Sequence, residues 1–426
     1  MKKVLIITYY WPPAGGPGVQ RWLKFVKYLP DCGIEPIVYI PENPTYPLLD
    51  ESLQNEVDNN ITILKHKITE PYNWASAFSK KSTKKISAGI IPNKKKQSLL
   101  QKLMLWVRGN LFIPDARVLW VTPSVSYLSK YIQSNGIDTI ITTGPPHSLH
   151  LIGLGLKKEL NVNWFADFRD PWTTIGYHKE LKLSESAAHR HKLLEKEVLT
   201  TANHIIVTSP TTKTEFEAIT KQPITVITNG YDVEGITKQP LDEKFTLAHI
   251  GSLLSERNPK VLWESLSELI HENQDFKANF QLKLIGAVSQ EVLNTIADFK
   301  LNDYVNNLGY VSHTEALLEQ RKSQVLLLIE INSPDTRCII PGKLFEYMAS
   351  ERPILAIGPE GADVSGIITN TNTGVFSTYT QKDKIKQTIL HYFDAYQQNN
   401  LSVNAIGLQQ YSRKSVTGKL AELLNK

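Results

Sequence analysis

The sequence predicts an α/β protein made of two consecutive parallel-sheet domains, and three observations carry the prediction. Apolar runs of five to seven residues, rich in Val and Ile, alternate with longer segments of helical period, as they do where helices cover both faces of a parallel sheet. At 426 residues the chain exceeds the size at which one hydrophobic core stops growing. A stretch of turn residues and charges, "NGYDVEGITKQPLDEK" at 229–244, interrupts the apolar series, and a second series starts after it.

In the first half the strand candidates are "KVLIIT", "EPIVYI", "IDTIITT", "VNWFAD", "HIIVTS" and "ITVIT". Helical period is read between them at Val19–Leu29, Ser148–Leu160 and Ser184–Thr201. The second half offers "FTLAHI", "FQLKLIG", "SQVLLLIE" and "RPILAI" as strands, separated by helices such as Pro259–Ile270 and Thr314–Gln320. The expected domains are therefore residues 1–235 and 236–407, with a last helix within 408–426 that is free to pack back on the first.

Composition excludes several classes. With 41% hydrophobic and 21% charged residues the chain is an ordinary globular protein, neither disordered nor fibrous. Cys32 and Cys338, far apart, make no disulfide framework, so a reducing cytoplasmic location is expected. The opening "MKKVLIITYYWPPAGG" reads as a first strand, since proline and polar residues break its apolar run and no small-residue cleavage site follows. No stretch approaches the roughly 20 apolar residues needed to span a bilayer. The net charge of +5 is modest, but residues 80–108 hold nine Lys/Arg and no acid. One short basic segment without interleaved stacking aromatics does not make a nucleic-acid site.

In parallel sheets ligands bind beyond the carboxyl ends of the strands, so the loops that follow strands are where chemistry is sought. In "TYYWPPAGGPGVQRW" (8–22), Gly15, Gly16 and Gly18 allow backbone N–H groups to approach an anion at a helix N-terminus, or simply form a flexible turn. Arg21 stands where a dinucleotide fingerprint needs glycine. In "TTGPPHSLH" (142–150), His147 is expected near the first helical turn and exposed at the sheet's edge, suited to proton transfer or hydrogen bonding. "ADFRDPW" (166–172) places Asp167, Arg169 and Asp170 directly after a strand, either for acid–base work and sugar hydroxyls or as a self-contained ion pair. No residues have metal-ligand spacing.

The second half has one composite site. "HIGSLLSERNP" (249–259) ends a strand at Gly251 and presents Arg257 as a phosphate ligand. In "PGKLFEYMAS" (341–350) a helix opening near Pro341 puts Lys343 in its first turn, where the helix dipole disfavours a cation unless an anion is bound. Glu346, one turn on, can accept hydrogen bonds from a ribose diol; an ordinary solvated Lys–Glu pair is the alternative. "PGKLF" lacks the upstream glycine and following Ser/Thr of a Walker A loop, which disfavours nucleotide hydrolysis.

Taken in order, "PPAGGPGVQRW", "DFRDPW", "TNGYD", "GSLLSERNP" and "GKLFEYMASERPILAI" resemble the GT-B glycosyltransferases, specifically the retaining glycosyltransferase family 4, along nearly the whole chain. The resemblance implies two Rossmann-like domains facing each other across a cleft, the first for the acceptor and the second for a nucleoside-diphosphate sugar, UDP- or GDP-linked. It implies no tightly bound cofactor and no metal. Gly15, Gly16, Gly251, Arg257, Lys343, Leu344 and Glu346 then hold the donor, and His147, Asp167 and Asp170 are the catalytic candidates. The family's Glu-x7-Glu signature ends at Glu346, but its first glutamate is here Cys338, which puts the usual donor-sugar contact in doubt.

The same resemblance implies a glycan or lipid-linked acceptor in bacterial surface polysaccharide or lipopolysaccharide assembly. In "NKKKQSLLQKLMLWVRGN" a lysine run precedes a helix with Leu99, Leu100, Leu103, Trp106 and Val107 largely on one side, which suits peripheral contact of 80–108 with anionic membrane or an ordinary packed helix. A GT-B UDP-sugar epimerase and a nucleotide-sugar binding protein without catalysis are the competing readings.

Overall fold

The computed structural model describes residues 1–70, 99–179, 181–232 and 239–426. They form two compact units, Met1–Asn229 with Arg413–Lys426, and Gly230–Ser412.

The first unit is a seven-stranded sheet, every pairing parallel, in the order β3-β2-β1-β4-β5-β6-β7. The strands are β1 (Lys2–Ile7), β2 (Ile34–Pro41), β3 (Thr62–His66), β4 (Thr139–Gly144), β5 (Asn163–Phe168), β6 (His204–Val207) and β7 (Ile224–Val226). Central strands are buried on both faces, so they read as continuous apolar runs, and β4 is buried at all six positions. Its polar residues are matched inside the sheet: the Trp164 indole donates to Thr142 at 2.9 Å, and Thr142 also pairs with His150 Nδ1 at 2.9 Å. The last helix, Arg413–Leu424, adds Val416, Leu420 and Leu424 to the core under β1 and β2. Arg413 donates to Gln20, and Lys2 to the Leu424 carbonyl, at 3.2 and 2.5 Å.

The second unit has six parallel strands in the order β10-β9-β8-β11-β12-β13. They are β8 (Phe245–Ile250), β9 (Phe280–Ile285), β10 (Val305–Gly309), β11 (Val325–Ile329), β12 (Ile354–Gly358) and β13 (Gly374–Thr378). The order reverses between β8 and β11, which is the switch point where doubly wound sheets open a crevice at the carboxyl edge. Leu344, Phe345, Tyr347 and Met348 bury the helix Gly342–Ala349 against one face of this sheet.

Candidate functional site

In the second unit the residues gather at the carboxyl ends of β8 and β11. β8 ends in Gly251 (φ 121°), whose N–H donates to the Ile285 carbonyl at 2.7 Å. Gly286 (φ 119°) follows β9, and a β-carbon there would lie 2.5 Å from the Gly251 carbonyl oxygen. The two loops therefore close onto each other only as glycines. Arg257 ends the short 3-10 turn Ser255–Arg257 and brings its guanidinium to Glu330, the residue after β11, at 3.8 Å.

Lys343 lies in the first turn of Gly342–Ala349, whose N-cap, Pro341, offers no side-chain cap. Its ammonium reaches the Ile250 carbonyl at 3.4 Å, beside Gly251. Burial pulls this amine down to about 8, with Arg257 lowering it further and Glu330 and Glu346 opposing. One turn on, the half-buried Glu346 accepts from Gln320 at 3.3 Å and lies 3.8 Å from His313. Tyr347 anchors the helix to β8, accepting from the Ile250 N–H at 3.0 Å and donating to its carbonyl at 3.3 Å. Arg257, Lys343 and Gly251 thus share one end of the sheet with an unfilled helix N-terminus, an arrangement suited to a diphosphate. Glu346 stands one helical turn further along.

Leu344 departs from its expected role. Its side chain is fully buried in the core and its N–H bonds the Pro341 carbonyl at 3.0 Å, so it seats the helix and has nothing left to offer a ligand. Cys338 is 7% exposed, with its thiol 4.0 Å from the Asp335 carbonyl. Glu330 is a residue that sequence reading passed over as the end of an apolar strand; its signal was a carboxylate closing the run "VLLLIE" at the switch-point strand.

In the first unit the loops after β1, β4 and β5 are built as follows. Gly16 (φ 99°) is the N-cap of the helix Pro17–Tyr28, and nothing lies within 4 Å of where its β-carbon would be; Gly15 donates to the Leu48 carbonyl at 3.0 Å. Asp167 is wholly buried and fully engaged. It accepts from Arg21 at 2.8 Å, from the Trp22 indole at 2.9 Å and from Thr143 at 2.8 Å. Burial raises its carboxyl, but Arg21 and these hydrogen bonds outweigh that and leave it below the ordinary carboxylate range. The ion pair is made with Arg21 of the preceding helix and not with Arg169 of its own loop, which donates to the Gly144 carbonyl instead. Asp170 is half-buried, and burial raises its carboxyl against the pull of Arg169.

His147 lies at the strand-to-helix junction as expected, but it is not exposed. It is 3% exposed, at the N-cap of Ser148–Leu160 behind the central strand β4, and stacks on Trp172 at 4.9 Å with an interplanar angle of 4°. Trp172 closes over the ring because the "DFRDPW" loop turns back across it. Asp115 fixes the same turn by accepting from the Ser148 N–H at 3.0 Å. Neither ring nitrogen of His147 has a hydrogen-bond partner among the described residues. Burial, and then the neighbouring His150, holds it well below the usual imidazole range, so it is a neutral donor and acceptor near pH 7.

Among the described residues no group of three or more His, Cys, Asp or Glu side chains is placed to hold a metal ion, and no helix is long and apolar enough to cross a membrane. Of the basic stretch, residues 80–98 lie outside the described residues. The helix Leu99–Leu111 buries Leu105 and leaves Leu103, Trp106 and Leu111 exposed.

No curated protein matches the chain in sequence. Among solved structures, HepE from Anabaena in complex with UDP is similar at a TM-score of 0.64 and 12% identity, covering 100% of both chains. Sucrose-phosphate synthase from Thermosynechococcus elongatus is similar at 0.63 and 13%, covering 100% of this chain and 98% of that one. The lipopolysaccharide outer core galactosyltransferase WaaB in its apo form is similar at 0.57 and 13%, with 100% of both chains covered. At such identities the likeness is one of fold. The family described as Glycosyltransferase Family 4 matches residues 92–234, and Glycosyl transferases group 1 matches residues 244–394. With one such domain on each unit and the GT-B fold throughout, the chain is a glycosyltransferase and belongs to the GT-B family 4 and group 1 enzymes.

Proposed function

We propose that the chain transfers a sugar, with retention of anomeric configuration, from a UDP- or GDP-linked donor to a glycan or lipid-linked glycan of a bacterial surface polysaccharide or lipopolysaccharide. The observation that carries the donor half is the gathering of Arg257, Lys343 and Glu346 at the switch point of the second sheet. In this reading Arg257 and Lys343 take the diphosphate together with the helix N-terminus, and Glu346 takes the ribose hydroxyls. Charge developing on the leaving diphosphate is met by two positive side chains held in place before the reaction, which is the effect of greatest size in such transfers and calls for no metal. HepE, whose structures contain UDP and UDP-glucose, supports the donor class; WaaB supports the acceptor class.

On the first unit Gly15 and Gly16 offer backbone to the acceptor. Asp170, half-buried, contacts the acceptor, and His147, stacked beneath Trp172, supports the same loop.

A thermal-shift panel of UDP, GDP, ADP and CMP with their sugar conjugates tests the donor site. A ligand at a hundred times its Kd adds about 2.7 kcal/mol. That corresponds to several degrees at roughly 2–4 °C per kcal/mol. One nucleoside diphosphate is expected to shift the wild type, and Glu346→Ala to lose most of the shift. No response to any of the panel overturns the proposal.

A further inference from the structure

Glu330 is the least satisfied ionisable side chain in the second unit's site. It is 3% exposed, and neither carboxylate oxygen has a hydrogen-bond partner among the described residues. Its backbone is nevertheless fixed on both sides: the N–H donates to the Ile357 carbonyl at 2.8 Å, and the carbonyl accepts from Tyr379 at 2.8 Å. The carboxylate is therefore held in place without being bonded, and such a group costs stability that an apolar residue would not.

Its neighbours are equally open. Arg257 is 3.8 Å away, too far for a hydrogen bond, and Arg257 Nε has no partner either. Among the described residues Lys343 makes only the long 3.4 Å contact to Ile250. Arg257 and Lys343 repel each other, and Glu330 is the buried anion that attracts both.

We infer that Glu330 is a positioning residue of the donor site, a resident counter-ion that holds Arg257 and Lys343 before the donor binds and releases both to the diphosphate. The inference rests on the donor-site reading above and adds a consequence to it. Once both cations face the diphosphate, Glu330 is buried with no counter-charge and a new anion nearby. The charged form is then disfavoured, and the carboxylate takes a proton from solvent as the donor binds.

The other groups facing it do not change charge near pH 6. His249 on β8 is kept neutral by burial, as are the phenols of Tyr347 and Tyr379. Lys343, at about 8, is protonated with or without ligand. His313 beside Glu346 is common to wild type and variant. Burial already raises the Glu330 carboxyl above its ordinary value.

The test is calorimetric titration of the full chain with UDP-, GDP- and ADP-glucose near pH 6, in two buffers of different ionisation enthalpy. The diphosphate of these donors is esterified at both ends and does not itself titrate there. Wild type is expected to take up a substantial fraction of one proton per donor bound, and its affinity to fall with rising pH, by at most tenfold per unit. Glu330→Gln is expected to bind without that uptake and with a flatter profile. The wild-type stoichiometry stands by itself if the Gln variant fails to fold, and Glu330→Asp is the second variant. Binding without proton uptake, or with equal uptake in wild type and Gln variant, overturns the inference and leaves the donor site standing. Binding of none of the three donors overturns both.

Discussion

Lys343 combines a first-turn position, which the helix dipole penalises, with burial that lowers its amine to about 8. A diphosphate reverses both effects, so the bound-state pKa lies above the free one. The Lys343 contribution to donor affinity is then full below about 8 and falls as pH rises past that value, by up to tenfold per unit, until the bound amine also deprotonates. Titration of the wild type from pH 6.5 to 9.5 is expected to show that fall above about 8, and Lys343→Arg to lose it there, because a guanidinium keeps its charge throughout. A flat wild-type profile would remove Lys343 from the diphosphate site. At this scale the sequence was legible in placement: it set Arg257 and Lys343 in segments that follow strands of the second sheet, and the structure brings both to the carboxyl ends of β8 and β11. It was misleading where the surroundings decide: Leu344 is core, and His147 is roofed by Trp172, a contact between loops that no spacing reveals.

The element that organises the first unit's carboxyl edge is the junction of β4, β5 and the helix Pro17–Tyr28, and Asp167 joins all three. It sits on β5 and accepts from Thr143 of β4 and from Arg21 and Trp22 of the helix. Arg21 continues to the Thr228 carbonyl at 3.0 Å. Asp167→Ala leaves a buried guanidinium unpaired, and removing one partner of such a pair costs about 3–5 kcal/mol. Chemical denaturation is expected to show that loss with donor absent; an unchanged midpoint would return Asp167 to the catalytic candidates. Elements were legible in proportion to their burial. The central strands appear in the sequence as apolar runs because both faces are covered. The unread strands β3, β10 and β13 are all edges, with burial that is only partial and sequences such as "VNNLG". Helix starts were marked by residues that serve as caps, as Ser184 does by accepting from the Ala187 N–H at 3.2 Å.

At the scale of the whole molecule the uneven charge becomes an argument about where the enzyme works. Seven of the nine cations of residues 80–108 precede in sequence the helix Leu99–Leu111, which is seated on its inner side by Leu105 and by Gly109 against Leu181 and Leu183. Its other side presents Leu103, 57% exposed, Trp106, 43%, and Leu111, 64%. Exposed Leu and Trp on one helix beside a lysine run are what an interfacial helix offers a bilayer, the apolar side chains entering the headgroup region while each lysine near an anionic surface contributes about 1 kcal/mol. Flotation with anionic vesicles at low salt is therefore expected to recover the protein, and recovery is expected to drop with added salt and with neutral vesicles. Trp106→Ser with Leu103→Ser should reduce recovery at a small cost in stability, since each side chain is only part-buried. Full recovery by the double variant would assign the binding to the lysines alone, and no wild-type recovery on anionic vesicles would place the acceptor away from the membrane surface.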